Sequence, residues 1–243
     1  MSVKIPIFVI TCDRLVVLRE SLASYRECIK TPFEPIMVDF GSTYKPMVSF
    51  LGRLESRGIK VYWMNKIDQP GELNQVNICI QDYFKTHPKS DYVVTDPDIA
   101  LDNTRGDVLH VYRRFLKINP AAHVVGPMLR IDDIPDYYPL KEALISGELG
   151  LHKKFHSQPI QTIMYRRRKI YYITAPIDTT FGMYRAGTTW KRCRHGIRVL
   201  APYAARHLDW YLDFDNLTPD QDYYTEHAAP TIIHWSKWRK ERG

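Results

Sequence analysis

The order of apolar runs over the first hundred residues limits this fold more than any other feature. "KIPIFVIT" (4–11) is a short run bounded by polar residues, as a buried strand is, and "RLVVLRESLASYREC" follows it with apolar residues at helical spacing. "EPIMVDFGS" repeats the strand, and "YKPMVSFLGRLESRG" repeats the helix, with Gly58 as its C-terminal stop. "IKVYWMN" and "LNQVNICIQDYFKTH" make a third pair, and "DYVVTDPD" is a fourth strand. Strands alternating with helices predict an α/β fold, a mostly parallel sheet flanked by helices on both faces. Open sheets of this kind bind ligands beyond the carboxyl ends of their strands. Those ends here are Thr11-Cys12-Asp13-Arg14, Asp39-Phe40-Gly41-Ser42, Asn65 and Asp96-Pro97-Asp98, so three of four carry an aspartate.

Beyond residue 105 the pattern loosens. "GDVLHVYRRFLKI" predicts a helix, "AAHVVGPMLRI" a strand, "DDIPDYYPLKEALISGEL" a loop and helix, and "KIYYITAPIDTTFGMYR" one or two strands. "TPDQ" (218–221) has the N-cap, first-turn proline and acid of a helix start. No linker or repeat divides the 243 residues, so one domain over 1–243 is expected, with a C-terminal lobe. Four scattered cysteines without a CxxC pair argue against a zinc ribbon or a disulfide framework and for a reducing, cytoplasmic setting. The apolar start breaks at Asp13-Arg14, too early for a signal peptide or a membrane span.

An Asp-Pro-Asp at a strand end is either a plain turn or a metal site. Asp and Pro are ordinary turn residues. Hard divalent cations, however, take carboxylate oxygens together with substrate phosphates, and an extended chain would turn Asp96 and Asp98 the same way. The net charge of +7 favours an anionic partner. Basic residues gather late, in "YRRRK" (165–169), "KRCRHGIR" (191–198) and "WSKWRKERG" at the end.

Through "IPIFVITCDRLVVLRESL", "IMVDFGSTYKP", "GELNQVN" and "YVVTDPDIALD", and further in "APIDTTFGMYR" and "ARHLDWYLDFDNLTPDQDYY", the chain resembles the nucleotide-sugar glycosyltransferases of the GT-A fold, in particular bacterial and viral members of the family-2-like group. The resemblance implies a Rossmann-like nucleotide-binding half (1–105) and an acceptor-side half (106–243). It implies that Thr11, Asp13 and Arg14 sit by the nucleotide and that Asp39 meets the base. Asp96 would meet the ribose or the metal, and Asp98 a Mn²⁺ or Mg²⁺ ion bridging the diphosphate of a UDP- or GDP-sugar. Phe40 and Tyr44 depart from the family, which often has Asn or Asp at the first position and Asp at the second.

An inverting enzyme of this kind needs a carboxylate to deprotonate the acceptor hydroxyl. Asp178 in "APIDTTFG" ranks ahead of Asp209. A histidine from the C-terminal part often closes the metal site in this fold, and His207 in "ARHLDWY" ranks ahead of His234. The expected acceptor is a glycan or a lipid- or protein-linked hydroxyl. The tail, with Trp235 and Trp238 among lysines and arginines, suits peripheral contact with an anionic membrane. A basic nucleic-acid-binding protein is the non-enzymatic alternative, but acidic strand ends repel phosphate, so no nucleic acid is expected. A nucleotidyltransferase is the enzymatic rival, and its Gly-rich loop is missing from "ITCDRLVVL".

Overall fold

A computed structural model describes residues 4–146 and 158–228. Strands β1 (Ile5–Thr11), β2 (Phe33–Phe40), β3 (Val61–Met64) and β4 (Tyr92–Thr95) alternate with helices α1 (Leu15–Cys28), α2 (Lys45–Ser56) and α3 (Val76–Thr86). A two-residue β5 (Ile99–Ala100), α4 (Val108–Ile118), β6 (Val124–Pro127) and α5 (Lys141–Ser146) follow. The remainder is β7 (Gln161–Tyr165), β8 (Arg168–Ile177), β9 (Gly182–Tyr184), β10 (Arg194–Val199), β11 (Arg206–His207) and α6 (Pro219–His227).

Nine strands form one sheet in the order β3-β2-β1-β4-β9-β6-β10-β8-β7. Only β9 and β8 run against the rest, so the expected mostly parallel sheet is present. The unbroken apolar run of β1 has a physical cause. Ile5, Ile7 and Val9 pack with α1, α2 and α4 on one face, whereas Phe8 and Ile10 pack with α3 on the other. A strand covered on both faces has no polar side to show.

Register then fixes the site. Thr11 pairs with Asp39, and Val9 with Thr95, so β1, β2 and β4 end along one edge. Winding proceeds from β1 toward β3 on one side and resumes with β4 on the other, and this reversal opens a crevice beyond Thr11 and Thr95. At the close of β2, Gly41 has φ 73° and a Cβ there would come within 2.7 Å of the Lys66 backbone nitrogen. That bare backbone lets the segment after β3 approach the crevice.

Gly58 ends α2 with φ 85°, its N–H donating to the Glu55 carbonyl, as the sequence predicts. The helix expected at "TPDQ" is α6, opened by a reciprocal Thr218–Gln221 capping box. Two strands of the large sheet, β7 and β10, and the two-residue β5 and β11 are additions to the sequence reading. β10 carries "RHGIRV" inside one of the basic clusters, and its Arg198 is 3% exposed. Arg198 donates to the carbonyls of Pro176 and Pro127, and burial pulls its pKa down to about 10. It ties strand ends together and is no part of an anion-facing surface.

Candidate active site

The crevice is a cleft, open to solvent, at the carboxyl ends of β1 to β4. Thr11, Arg14, Asp96, Asp98, His207 and Asp209 all line it. Asp-Pro-Asp is itself a turn between β4 and β5 and not an extended run. Both carboxylates reach the cleft all the same, each with its own partner. Asp96 accepts from the Thr179 hydroxyl, and its N–H donates to the Thr179 carbonyl at 2.8 Å. Asp98 accepts from Arg14 at 2.7 Å.

The antiparallel strands explain how the C-terminal half arrives here. Because β9 runs against β4, the residues leading into β9, Asp178 to Phe181, fall at the carboxyl end of β4. β11 pairs antiparallel with β5, placing His207 opposite Ile99, and the Leu208 N–H donates to the Asp98 carbonyl at 2.8 Å. A 3-10 turn, Leu208–Tyr211, follows at once and delivers Asp209 and Trp210. His207 lies flat on the Trp210 ring, centroids 5.0 Å apart, which fixes the imidazole plane.

Arg14 is the centre of the arrangement. Its guanidinium is 9% exposed and bridges the carboxylates of Asp98 and Asp209, with the Tyr224 ring 5.1 Å away. Burial opposes its charge, but the two carboxylates outweigh burial and raise its pKa. Burial likewise works against ionised Asp98, yet His207 and Arg14 prevail and hold that carboxyl below its ordinary value. Burial raises Asp209, with Arg14 opposing. Asp96 is pushed well above the ordinary carboxylate range by burial and then by Asp98 and Asp178.

Among the buried atoms without a hydrogen-bond partner are Asp98 Oδ1 and His207 Nδ1, with Thr11 Oγ1 also at the cleft. Ligand atoms of Asp98, His207 and Asp209 lie within 4.8 Å of one another. Two carboxylates and one imidazole are a donor set that could hold a divalent metal ion. Orphaned buried polar atoms are costly, and with the His207 imidazole neutral and Nδ1 unprotonated a cation held here would satisfy both. Asp96 stands outside this group of three.

Asp13 and Asp39 are turned to another task. Asp13, with φ 53°, accepts from the N–H groups of Thr43 and Tyr44, each at 2.7 Å, and donates its own N–H to Ser42 Oγ. Asp39 accepts from the Ser42 N–H and hydroxyl, and burial raises its pKa against those donations. Together they clamp the 42–44 loop, and neither lines the cleft wall. Asp178 sits at the rim in a bidentate pair with Arg192, at 2.6 and 3.0 Å. His234, Trp235 and Trp238 lie outside the described residues.

Cleft-lining residues to which the sequence reading gives no site role include Lys66, Thr179, Arg192 and Tyr224, although Thr179 and Tyr224 stand in segments that carry the family resemblance. Arg192 is in a noted basic cluster, and Tyr224 follows the noted helix start. Cys12 also lines the cleft, but burial pushes its thiol up to about 12, so it is no thiolate nucleophile. Among the described residues no helix is long and apolar enough to cross a membrane.

No protein-family model and no curated protein matches this chain. Among solved structures, one similar chain is the mannosyltransferase PcManGT from Pyrobaculum calidifontis in complex with GDP-Man and Mn²⁺. It is 18% identical over 54% of this chain and 36% of that one, with a TM-score of 0.39. S. aureus TarS 1–349 is 13% identical over 91% of this chain and 62% of its own, with a TM-score of 0.46. Glucosyl-3-phosphoglycerate synthase from Mycobacterium tuberculosis, in complex with UDP, is 16% identical over 62% and 53%, with a TM-score of 0.35. The chain thus spans less than two thirds of the length of each of these three.

Proposed function

We propose that this protein is a metal-dependent glycosyltransferase that moves a sugar from a nucleotide-diphosphate sugar to a hydroxyl of a glycan or a lipid- or protein-linked acceptor. The observation that carries the reading is the pair of orphaned buried atoms, Asp98 Oδ1 and His207 Nδ1, at the reversal of winding in an α/β sheet. Residues 1–105 then form the nucleotide half of one catalytic domain, and 106–243 the acceptor side.

Asp98, His207 and Asp209 would hold the ion. When bound, it neutralises charge on the diphosphate. The chain's own residues do the remainder. Lys66 and Arg192 flank the cleft as cations for phosphate oxygens, and Thr11 presents a buried, unpartnered hydroxyl toward the same space. Asp96 is placed for a ribose hydroxyl. Tyr224 and Ala228 close the cleft from the C-terminal side.

For an inverting transfer Asp178 is the base. It takes the proton of the acceptor hydroxyl as that oxygen bonds to the anomeric carbon, and the carbon–oxygen bond to the diphosphate breaks as the nucleotide leaves. Drawing Arg192 onto a phosphate would free the Asp178 carboxylate for this work. Asp209, pinned by Arg14, is the weaker base.

Isothermal titration of UDP and GDP, each with and without Mn²⁺, tests the reading on wild type and Asp98→Ala. One nucleotide is expected to bind in a metal-dependent way, and the substitution to weaken it at least about 100-fold, beyond what removing a supporting residue costs. A folded wild type that binds neither nucleotide would overturn it.

A further inference from the structure

A second pocket lies apart from the cleft and shares no lining residue with it. It is walled by Lys30 and Thr31 on the approach to β2, by Arg105 to His110 around the start of α4, and by Arg166 at the turn between β7 and β8. Lys30, Arg105, His110 and Arg166 are all exposed there. The one carboxylate, Asp107, is already matched: it accepts from Arg168 at 2.6 Å and from the Tyr203 hydroxyl at 3.1 Å, with Arg105 3.9 Å away. Cations therefore outnumber acids in this wall.

Three features make it a built site. Asp107 gives α4, an 11-residue helix, no side-chain cap; the Val108 N–H donates to the Arg105 carbonyl at 3.0 Å, and the Leu109 and His110 N–H groups remain for a ligand at this helix start. Thr31 is 7% exposed, lines the pocket, and its hydroxyl has no hydrogen-bond partner. A buried orphan hydroxyl costs about 1–3 kcal/mol unless a ligand satisfies it. Gly106 has no Cβ, and one there would come within 2.4 Å of Lys30 Cγ, so the glycine lets the lysine stem pack against the approach to α4.

The β7–β8 turn points the same way. Arg166 and Arg167 hold φ of 47° and 64°, left-handed backbone that tight hairpins ordinarily give to Asn-Gly. Such a conformation costs an L residue about 1–2 kcal/mol. What arginine supplies that Asn-Gly would not is positive charge at the pocket mouth.

We propose that this pocket binds a phosphate group of an anionic ligand other than the donor nucleotide. Helix N–H groups, a hydroxyl and guanidinium groups are the donors that phosphate oxygens take. The site stands independently of the glycosyltransferase reading, because its wall shares no residue with the cleft.

The test is titration of the full chain, in EDTA to silence metal-borne binding, with inorganic phosphate and with tripolyphosphate, read by backbone amide shifts. Saturable shifts at Leu109 and His110 are expected. They should weaken about tenfold or more in Arg105→Gln/Arg166→Gln, two exposed positions where the fold is safe, and also in Thr31→Val. The inorganic phosphate arm separates a single phosphate from an oligophosphate chain, and saturation by either supports the site. No saturable shift at millimolar probe, shifts confined to cleft residues such as Lys66, or full binding by the double variant would overturn it.

Discussion

The two ends of the sheet are built by different rules. From β3 to β4 every neighbour is parallel and every crossover passes through a helix, so each strand is marked by its own local sequence pattern even where its partner is distant, as β4 is from β1. From β9 to β7, strands reverse direction, and β9 and β10 reach across the chain to β4 and β6, while β7 and β8 pair as a hairpin. The first region lines up strand ends and offers acids. The second brings what gives those acids a use: Thr179 for Asp96, His207 for Asp98, and Asp209 for Arg14, a contact spanning 195 residues. A regular frame holds the position, and an irregular partner decides the chemistry.

Arg14 is where the two regions meet, so Arg14→Met should break the comparison hardest. It leaves two buried carboxylates, Asp98 and Asp209, without their shared cation. Removing one member of a buried ion network costs about 3–5 kcal/mol. Urea unfolding at neutral pH should show a loss of that size; a loss below about 1 kcal/mol would mean the bridge is worth no more than a surface pair.

A smaller effect follows for the second tie between the regions. The Asp220 carboxylate accepts from the Val16 N–H at 2.9 Å and from the Thr218 hydroxyl, so an acid on α6 caps the first turn of α1 from 204 residues away. Asp220→Ala should lower stability by about 1–2 kcal/mol, the cost of a strong helix cap. It should also loosen α6, which carries Tyr224 over Arg14, and so weaken nucleotide binding beside the melting shift. A melting shift with unchanged nucleotide affinity would separate α6 from the site.

Legibility follows the same divide. The frame was readable because a strand buried on both faces must be apolar and its neighbouring helix must show helical spacing, both local facts. Asp98, Arg14, His207 and Asp209 were readable as candidates by residue type and position. Their meeting was not, since it depends on β11 pairing with β5. β10 escaped because "RHGIRV" buries an arginine, satisfied by carbonyls that no window of sequence shows. Asp13 and Asp39 show the reverse case. Their place at strand ends was plain, but both carboxylates hold the 42–44 loop, a partner set by three-dimensional proximity alone.

A still smaller effect isolates the second region by itself. Asp107, Arg168 and Tyr203 all belong to the later half, and they form a network without any strand end of the frame. Burial opposes ionised Asp107, but Arg168 and Tyr203 prevail and lower its pKa below the ordinary value. A carboxyl depressed in the folded state adds stability that is fully present above its unfolded pKa, about 3.9, and is lost as pH falls through the folded value. Asp107→Asn should therefore cost about 0.5–1 kcal/mol at pH 7, in keeping with a partly exposed pair. The gap to wild type should close as the pH drops below 4. Urea midpoints measured from pH 7 down to pH 3 would show the two curves converging. Parallel curves would mean the charge on Asp107 adds nothing, and the later half would then owe its stability to its apolar contacts around Tyr112, Phe115 and Tyr172.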